Sequence, residues 1–123
     1  MGDSRRVLLV LEDAALSDLL SEAFIDAGHV AVQADGVAAA EAVLRAQPFD
    51  AVIVDLDTRA RDGLALVTRA RTFAPTVTVI ALLPCGGLGE PVAPPPYHLA
   101  IEKPARLAAL LSAVEAAPSA VRN

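Results

Sequence analysis

The length of 123 residues fits one domain, and the composition and charge of the chain exclude several classes of protein. A net charge of -5 argues against a direct nucleic-acid partner, because phosphate backbones require a basic face, and no apolar run approaches the roughly 20 residues of a membrane span. A single cysteine, Cys85, excludes an internal disulfide and is typical of a reducing compartment, so we expect a cytoplasmic protein with no membrane partner.

The chain opens with a strand pattern followed by a helix pattern. Val7–Leu11 is an unbroken apolar run, which predicts a buried strand that ends at Glu12 and Asp13. From there to the expected helix stop at Gly28, apolar residues recur at the spacing of one helix face. Aspartate is favoured at helix N-caps, so the structural role that we expect for Asp13 is the N-cap of this helix.

The same alternation continues to a strand that ends in a carboxylate. Alternation from Val30 predicts a strand nearer the edge of a sheet, and a second helix from Val37 closes before Pro48. The apolar, β-branched run Ala51–Val54 then predicts a strand buried on both faces, which stops abruptly at Asp55. A carboxylate there lies at the edge of the sheet where open α/β folds place their ligands.

The second half of the chain repeats the pattern with one interruption. A third, shorter helix is predicted after Gly63 and is broken at Pro75. Val77–Leu83 predicts a fourth strand and His98–Ile101 a short fifth strand, and a last helix is predicted over about residues 104–116.

The interruption is the segment Pro84–Pro96, which contains three glycines and, after Pro84, four further prolines. Interior proline costs a helix about 3 kcal/mol and glycine about 1 kcal/mol, so we expect an extended crossover here. A parallel α/β pattern would normally have a helix in this position. We therefore expect the fourth helix of the fold to be replaced by a Gly/Pro-rich loop.

Strand–helix alternation in this order predicts an α/β fold, a doubly wound parallel sheet with right-handed crossovers. The buried runs at the first, third and fourth strands fit the flavodoxin-like order 2-1-3-4-5. The first and third strands are then neighbours, so Glu12-Asp13 and Asp55 converge at one edge. We expect the domain to span residues 1–117, followed by a disordered tail over 118–123.

Three features meet at this edge: Glu12-Asp13 after the first strand, Asp55 at the end of the third, and Lys103-Pro104 after the fifth. Asp55 is followed by Asp62-Gly63 in a D-x6-D-G pattern. Over nearly its whole length, the chain resembles the CheY-like receiver domain of two-component response regulators.

The resemblance implies a role for each of these residues. Asp55 would accept a phosphoryl group from a sensor histidine kinase or a phosphotransfer protein, and Lys103 would pair with the phosphoryl oxygens. Mg²⁺ would be bound by Glu12, Asp55 and the backbone carbonyl of Asp57, with Asp13 as a further candidate ligand. The signal would leave through a downstream effector protein or a fused output domain, and the resemblance leaves a homodimer open.

The sequence also departs from the family pattern at four positions. Leu11 falls where the family has the first of two acidic residues, unless a bulge presents Glu12 and Asp13 as the pair. The family's Ser/Thr at the end of strand four falls on Ala81, the small residue after it on Leu82, and the switch aromatic of strand five on Ala100. These departures leave open a pseudo-receiver, a protein-interaction module that works without phosphorylation.

A third hypothesis is an enzyme. Asp55-Leu56-Asp57-Thr58 resembles the D-x-D-x-T motif of haloacid dehalogenase-type phosphatases, in which the first Asp is a covalent nucleophile and the second a general acid. That motif normally follows the first strand of a longer chain, whereas here it follows the third predicted strand. We therefore expect a protein that is not an enzyme.

Overall fold

The computed structural model describes residues 4–11, 13–56, 66, 68–69, 72, 74, 76–83, 98–103 and 106–118. Within these residues, five parallel strands form a single sheet, so the parallel sheet that the sequence predicts is confirmed. The strands are β1 (Arg6–Val10), β2 (Val30–Gln33), β3 (Ala51–Asp55), β4 (Thr78–Leu83) and β5 (Leu99–Glu102). Their spatial order is β2-β1-β3-β4-β5, which confirms the predicted 2-1-3-4-5 topology.

Three helices have both ends within the described residues: α1 (Ala14–Asp26), α2 (Val37–Ala46) and α3 (Leu107–Ala116). Residues 66, 68, 69 and 72 are also helical, in the stretch where the sequence predicts a helix between β3 and β4. The Gly/Pro segment lies outside the described residues, as does the predicted tail apart from Pro118, so the crossover without a helix stays a prediction.

Helix α1 begins and ends where its sequence predicts. The Asp13 side chain accepts a hydrogen bond from the backbone N–H of Leu16 at 3.1 Å, which confirms Asp13 as the N-cap. The buried face includes Leu20 and Phe24, as the helical spacing requires. The helix ends at a C-cap on Ala27, and Gly28 follows with a φ of +95°.

Some predicted boundaries are wrong by one to three residues. The last helix begins at Leu107 rather than at about residue 104, because Arg106 has an extended backbone and is its N-cap. The first strand ends at Val10, so Leu11 lies just beyond it, and β5 runs one residue later than predicted. Apolar runs indicate that an element exists, whereas strand pairing and caps decide where it ends.

The sheet separates two hydrophobic clusters, because successive side chains of a strand point to opposite faces. The first cluster lies on the face that carries α2, and its fully buried members include Val52, Ala81 and Leu56. The second lies on the face that carries α1 and α3, and it includes Phe24 and Leu110. The central strands contribute to both clusters, as the unbroken apolar runs of the sequence predict.

The amino ends of the strands are joined by polar contacts around Asp50, which is fully buried. Its carboxylate accepts a hydrogen bond from the N–H of Arg6 at 2.8 Å, and its own N–H donates to the Arg6 carbonyl at 2.9 Å. The Asp50 carbonyl accepts from the N–H of Thr78 at 2.9 Å. One residue therefore ties together the starts of β1, β3 and β4.

A second group of contacts joins β1, β2 and α3 at the same end of the sheet. The buried ring of His29 accepts a hydrogen bond from the Arg5 N–H at Nδ1, 3.0 Å away. Its Nε2 lies 3.0 Å from Oε2 of Glu115, and because Nδ1 is an acceptor, Nε2 carries the proton of the neutral ring. The Arg5 guanidinium donates to the carbonyl of Ala117 at 2.9 Å and so binds the end of α3.

Candidate functional site

Asp55 and Lys103 meet at the carboxyl edge of the sheet, at the opposite ends of the strands from Asp50. Asp55 is the last residue of β3, and Lys103 directly follows β5. The Lys103 ammonium donates a hydrogen bond to Oδ2 of Asp55 at 2.8 Å. The two residues are 48 positions apart in the chain, and the fold brings them into direct contact.

Backbone hydrogen bonds hold both residues in place. The N–H of Lys103 donates to the carbonyl of Leu83 at 2.9 Å, which extends the β4–β5 ladder by one step. The N–H of Leu56 donates to the carbonyl of Leu82 at 2.9 Å, which fixes the chain just after Asp55. Both side chains of the pair are therefore positioned by the sheet itself rather than by the loops alone.

The carboxylate of Asp55 is nearly buried, whereas the lysine reaches solvent. The exposed fraction of the side chain is 4% for Asp55 and 26% for Lys103. A carboxylate with so little water around it requires a counter-charge, because removing an ion from water costs several kcal/mol. Lys103 supplies that charge, and the carboxylate is a candidate nucleophile held at a fixed point.

The other acidic residues predicted for this edge are placed differently or lie outside the described residues. Asp13 is at the edge, where one carboxylate oxygen is used to cap α1. Glu12 and Asp57, the other predicted metal ligands, lie outside the described residues. The part of the chain that the structure describes contains no group of three or more His, Cys, Asp or Glu side chains that could bind a metal ion.

Leu11, at the predicted position of the family's first acidic residue, is an apolar part of the core. It directly follows β1, and its exposed fraction is 9% within the cluster that includes Leu82 and Ile53. Its side chain can supply no oxygen to a metal ion. The residue that the family pattern places beside the acceptor therefore serves packing here.

Strand β4 ends at Leu83, as the sequence predicts, and Ala81 lies two residues before that end. The assignment of Ala81 to the family's Ser/Thr position stays a prediction. Ala81 pairs with Val54 and Ala100 inside the sheet, and Leu82 is the residue opposite Asp55. Spacing across the Gly/Pro segment does not constrain this strand, whereas pairing with β3 does. The last three residues of β4 are nonetheless all without a hydroxyl group, and Ala100 leaves β5 without an aromatic residue.

The sequence-based prediction did not include Leu83, whose carbonyl positions Lys103. A backbone acceptor has no residue-type signal, so no motif could have identified it. The register of a parallel β4–β5 pair could have done so, because it places the residue after β5 beside the end of β4.

No family model matches this chain. The response regulator protein FleR of Pseudomonas aeruginosa is 34% identical to it over 87 residues, which are 71% of this chain and 18% of FleR. The chain belongs to the receiver family of response regulators. This receiver domain spans less than a fifth of the length of the curated relative that it matches. The receiver domains to which it is similar are signalling domains.

Solved structures share the fold of this receiver domain at low sequence identity. The chemotaxis protein CheY4 of Vibrio cholerae has a TM-score of 0.79 and 19% identity, covering 94% of this chain and 100% of CheY4. A response regulator of Burkholderia pseudomallei, solved with a phosphorylated aspartic acid, calcium ion and citrate, has a TM-score of 0.74 and 19% identity, covering 90% of this chain and 66% of that one. In the part of the present chain that the structure describes, no helix has the length and apolar character needed to cross a bilayer.

Proposed function

We propose that this receiver domain accepts a phosphoryl group on Asp55 and passes the signal on through contacts with other proteins. The observation that supports this most directly is the 2.8 Å contact between Lys103 Nζ and Asp55 Oδ2 at the carboxyl edge of the sheet. Phosphoryl transfer depends chiefly on positioning and on neutralising negative charge, and this pair offers a fixed carboxylate beside a positive charge.

The donor that fits the proposal is a phosphohistidine on a sensor histidine kinase or a phosphotransfer protein. A carboxylate oxygen of Asp55 attacks the phosphorus, the P–N bond breaks, and its electron pair stays on the imidazole nitrogen of the donor. The product is an acyl phosphate on Asp55, whose added negative charge the Lys103 ammonium offsets as a compact point charge. The phosphorylated aspartate of the B. pseudomallei regulator supports this chemistry by analogy.

Mg²⁺ belongs to this proposal as a cofactor with a weakened site. Its predicted ligands are Glu12, Asp55 and the carbonyl of Asp57, with Asp13 as a further candidate. The site is weakened because the side chain of Leu11 has no oxygen atom to serve as a ligand. When bound, Mg²⁺ would supply positive charge to the phosphoryl oxygens. The chain's own residues hold the acceptor and its lysine without it.

The wider setting of the domain is also part of the proposal. A cytoplasmic location suits a partner kinase and a single cysteine. The output would be a downstream effector protein or a fused output domain. This domain would not itself bind nucleic acid. A homodimer is compatible with the proposal. The presence of a receiver-like region in the much longer FleR supports the fused arrangement by analogy.

The test is phosphorylation by a small-molecule donor, acetyl phosphate with Mg²⁺, followed by intact mass measurement. We expect one added phosphoryl group on the wild type and on Asp35→Asn, an exposed control on the loop before α2, and none on Asp55→Asn. Equal labelling of Asp55→Asn would contradict the assignment of the acceptor. Turnover of a generic aryl phosphate that depends on Asp55 would instead favour the phosphatase hypothesis.

The pseudo-receiver is the second candidate, and two observations favour it. Leu11 is buried in the core beside the acceptor strand, and the last three residues of β4 carry no hydroxyl to sense a phosphoryl group. In that case Asp55 and Lys103 form a permanent ion pair that joins β3 to β5. The absence of labelling in every condition, together with binding to a partner that Asp55→Asn leaves unchanged, would support it.

A further inference from the structure

Asp55 lies between two leucines at the edge of the sheet. On one side, it pairs with Leu82 of β4. On the other side, Val54 pairs with Val10, so Leu11 is the next residue along the neighbouring chain. Both leucine side chains are buried in the same hydrophobic cluster, and neither offers an oxygen atom.

A positive charge is already in place beside this carboxylate. Lys103 donates to Oδ2 at 2.8 Å, and the side chain of Asp55 is 4% exposed. A divalent cation such as Mg²⁺ would need oxygen ligands and several waters around the same carboxylate. Leu11 and Leu82 occupy two of the flanking positions with apolar side chains, and Asp13 uses a carboxylate oxygen to cap α1.

We propose that the resting counter-charge of Asp55 is the Lys103 ammonium rather than a divalent cation, and that Leu11 is the residue that determines this choice. The inference deepens the proposed function and rests on it for the identity of Asp55 as the reacting group. It predicts that loading of Asp55 by a small phosphoryl donor does not require a divalent cation, because the lysine supplies the charge.

The first experiment is a titration of the isotope-labelled whole chain with Mg²⁺ and with paramagnetic Mn²⁺, followed by NMR. For the wild type, we expect no saturable shift or broadening of the amides of Asp55, Leu56 and Lys103 at millimolar cation. Saturable broadening centred on these amides in the wild type would overturn the inference.

The matched variants are Leu11→Asp and Leu11→Asn, which have nearly the same shape and differ in charge. We expect Leu11→Asp to gain a cation site, with an affinity about tenfold or more above that of Leu11→Asn, because charged oxygen ligands set the affinity of such sites. Equal, weak responses from both variants would contradict the role of Leu11. If burial of the new carboxylate prevents Leu11→Asp from folding, the wild-type titration decides the question by itself.

Phosphorylation separates this inference from the proposed function. A carboxylate oxygen of Asp55 attacks the phosphorus of acetyl phosphate, and acetate leaves with the electrons of the broken P–O bond. Labelling that is equal in Mg²⁺ and in EDTA supports both proposals. Labelling that requires Mg²⁺ overturns this inference and leaves the proposed function intact. The absence of labelling in both conditions, together with no response to the cation, contradicts the acceptor role of Asp55. That result still supports Lys103 as the resting counter-charge.

Discussion

At the scale of single residues, the contact between Asp55 and Lys103 crosses a strand. Asp55 ends β3 and Lys103 follows β5, and β4 lies between them in the sheet. Their side chains therefore meet above the end of β4, where Leu82 contributes only an apolar side chain and a backbone carbonyl. The pair thus couples two strands that share no backbone hydrogen bond with each other.

Removing the lysine should cost more stability than removing the charge of the aspartate. Lys103→Met leaves a nearly buried carboxylate without this counter-charge, and we expect it to lower the free energy of unfolding by about 1–3 kcal/mol. Asp55→Asn should cost less, because the more exposed Lys103 head can turn to water. Urea unfolding of both variants and of the double variant measures the coupling, and strictly additive costs would show that the contact contributes nothing.

His29 is the second residue whose role depends on a contact invisible in the sequence. We expect His29→Ala to lower the free energy of unfolding by about 1–3 kcal/mol, because the part-buried Arg5 N–H loses its acceptor. The matched control is Glu115→Gln, whose side chain is 51% exposed and keeps an oxygen acceptor, so its cost should stay within about 0.5 kcal/mol. Equal losses in urea unfolding would mean that the ring contributes through Glu115 rather than through Arg5.

At the scale of elements, the sequence predicts most of what surrounds the candidate site. The Asp13 cap, the edge position of β2 and the convergence of Asp55 with Lys103 follow from residue types and from alternation along the chain. The start of α3 and the start of β4 do not, because they depend on the backbone at Arg106 and on pairing with β3. Hydrophobic spacing is a local signal, whereas these boundaries are set by contacts between distant segments.

The contacts of His29 show a further limit of the sequence. The sequence indicates only that His29 is an ordinary strand-end residue. Nothing in its spacing indicates that it contacts Glu115, which is 86 positions away. Asp50 likewise carries no motif, although it is fully buried and joins three strands. Such single polar residues become predictable only after the topology has fixed which strand ends are neighbours.

The start of α2 offers a prediction at this scale. Gly36 is the N-cap, with a φ of 100° and a ψ of 172°, a conformation that is essentially restricted to glycine. No atom lies within 4 Å of an added Cβ, so the cost of Gly36→Ala is a backbone cost of about 1–3 kcal/mol. Thermal and urea unfolding check this against Asp35→Ala, the exposed neighbour, which should be nearly neutral. A neutral Gly36→Ala would mean that the loop relaxes to another conformation.

At the scale of the whole molecule, the sheet divides the core into two clusters that can be tested separately. Leu44 of α2 belongs to the first cluster and Leu110 of α3 to the second. We expect Leu44→Ala and Leu110→Ala each to lower the free energy of unfolding by about 2–5 kcal/mol. Because the sheet lies between them, the double variant should match the sum within about 0.5 kcal/mol.

The matched control for this pair is Leu107→Ala, on the same helix as Leu110 but 37% exposed rather than 1%. Its cost should be well below that of Leu110→Ala, because less apolar surface returns to water. Urea unfolding measures all four variants under the same conditions. A large departure from additivity in the free energies of unfolding would mean that the two clusters are energetically coupled through the central strands.

The contact between Arg5 and Ala117 has a consequence for the order of events during folding. The two residues are 112 positions apart, so closing this contact directly in the unfolded chain carries a large loop entropy. Once the sheet and α3 have docked, the same contact closes at little further cost. We therefore expect the chain to assemble from its central strands outward, with the Arg5 guanidinium reaching α3 only in the final step.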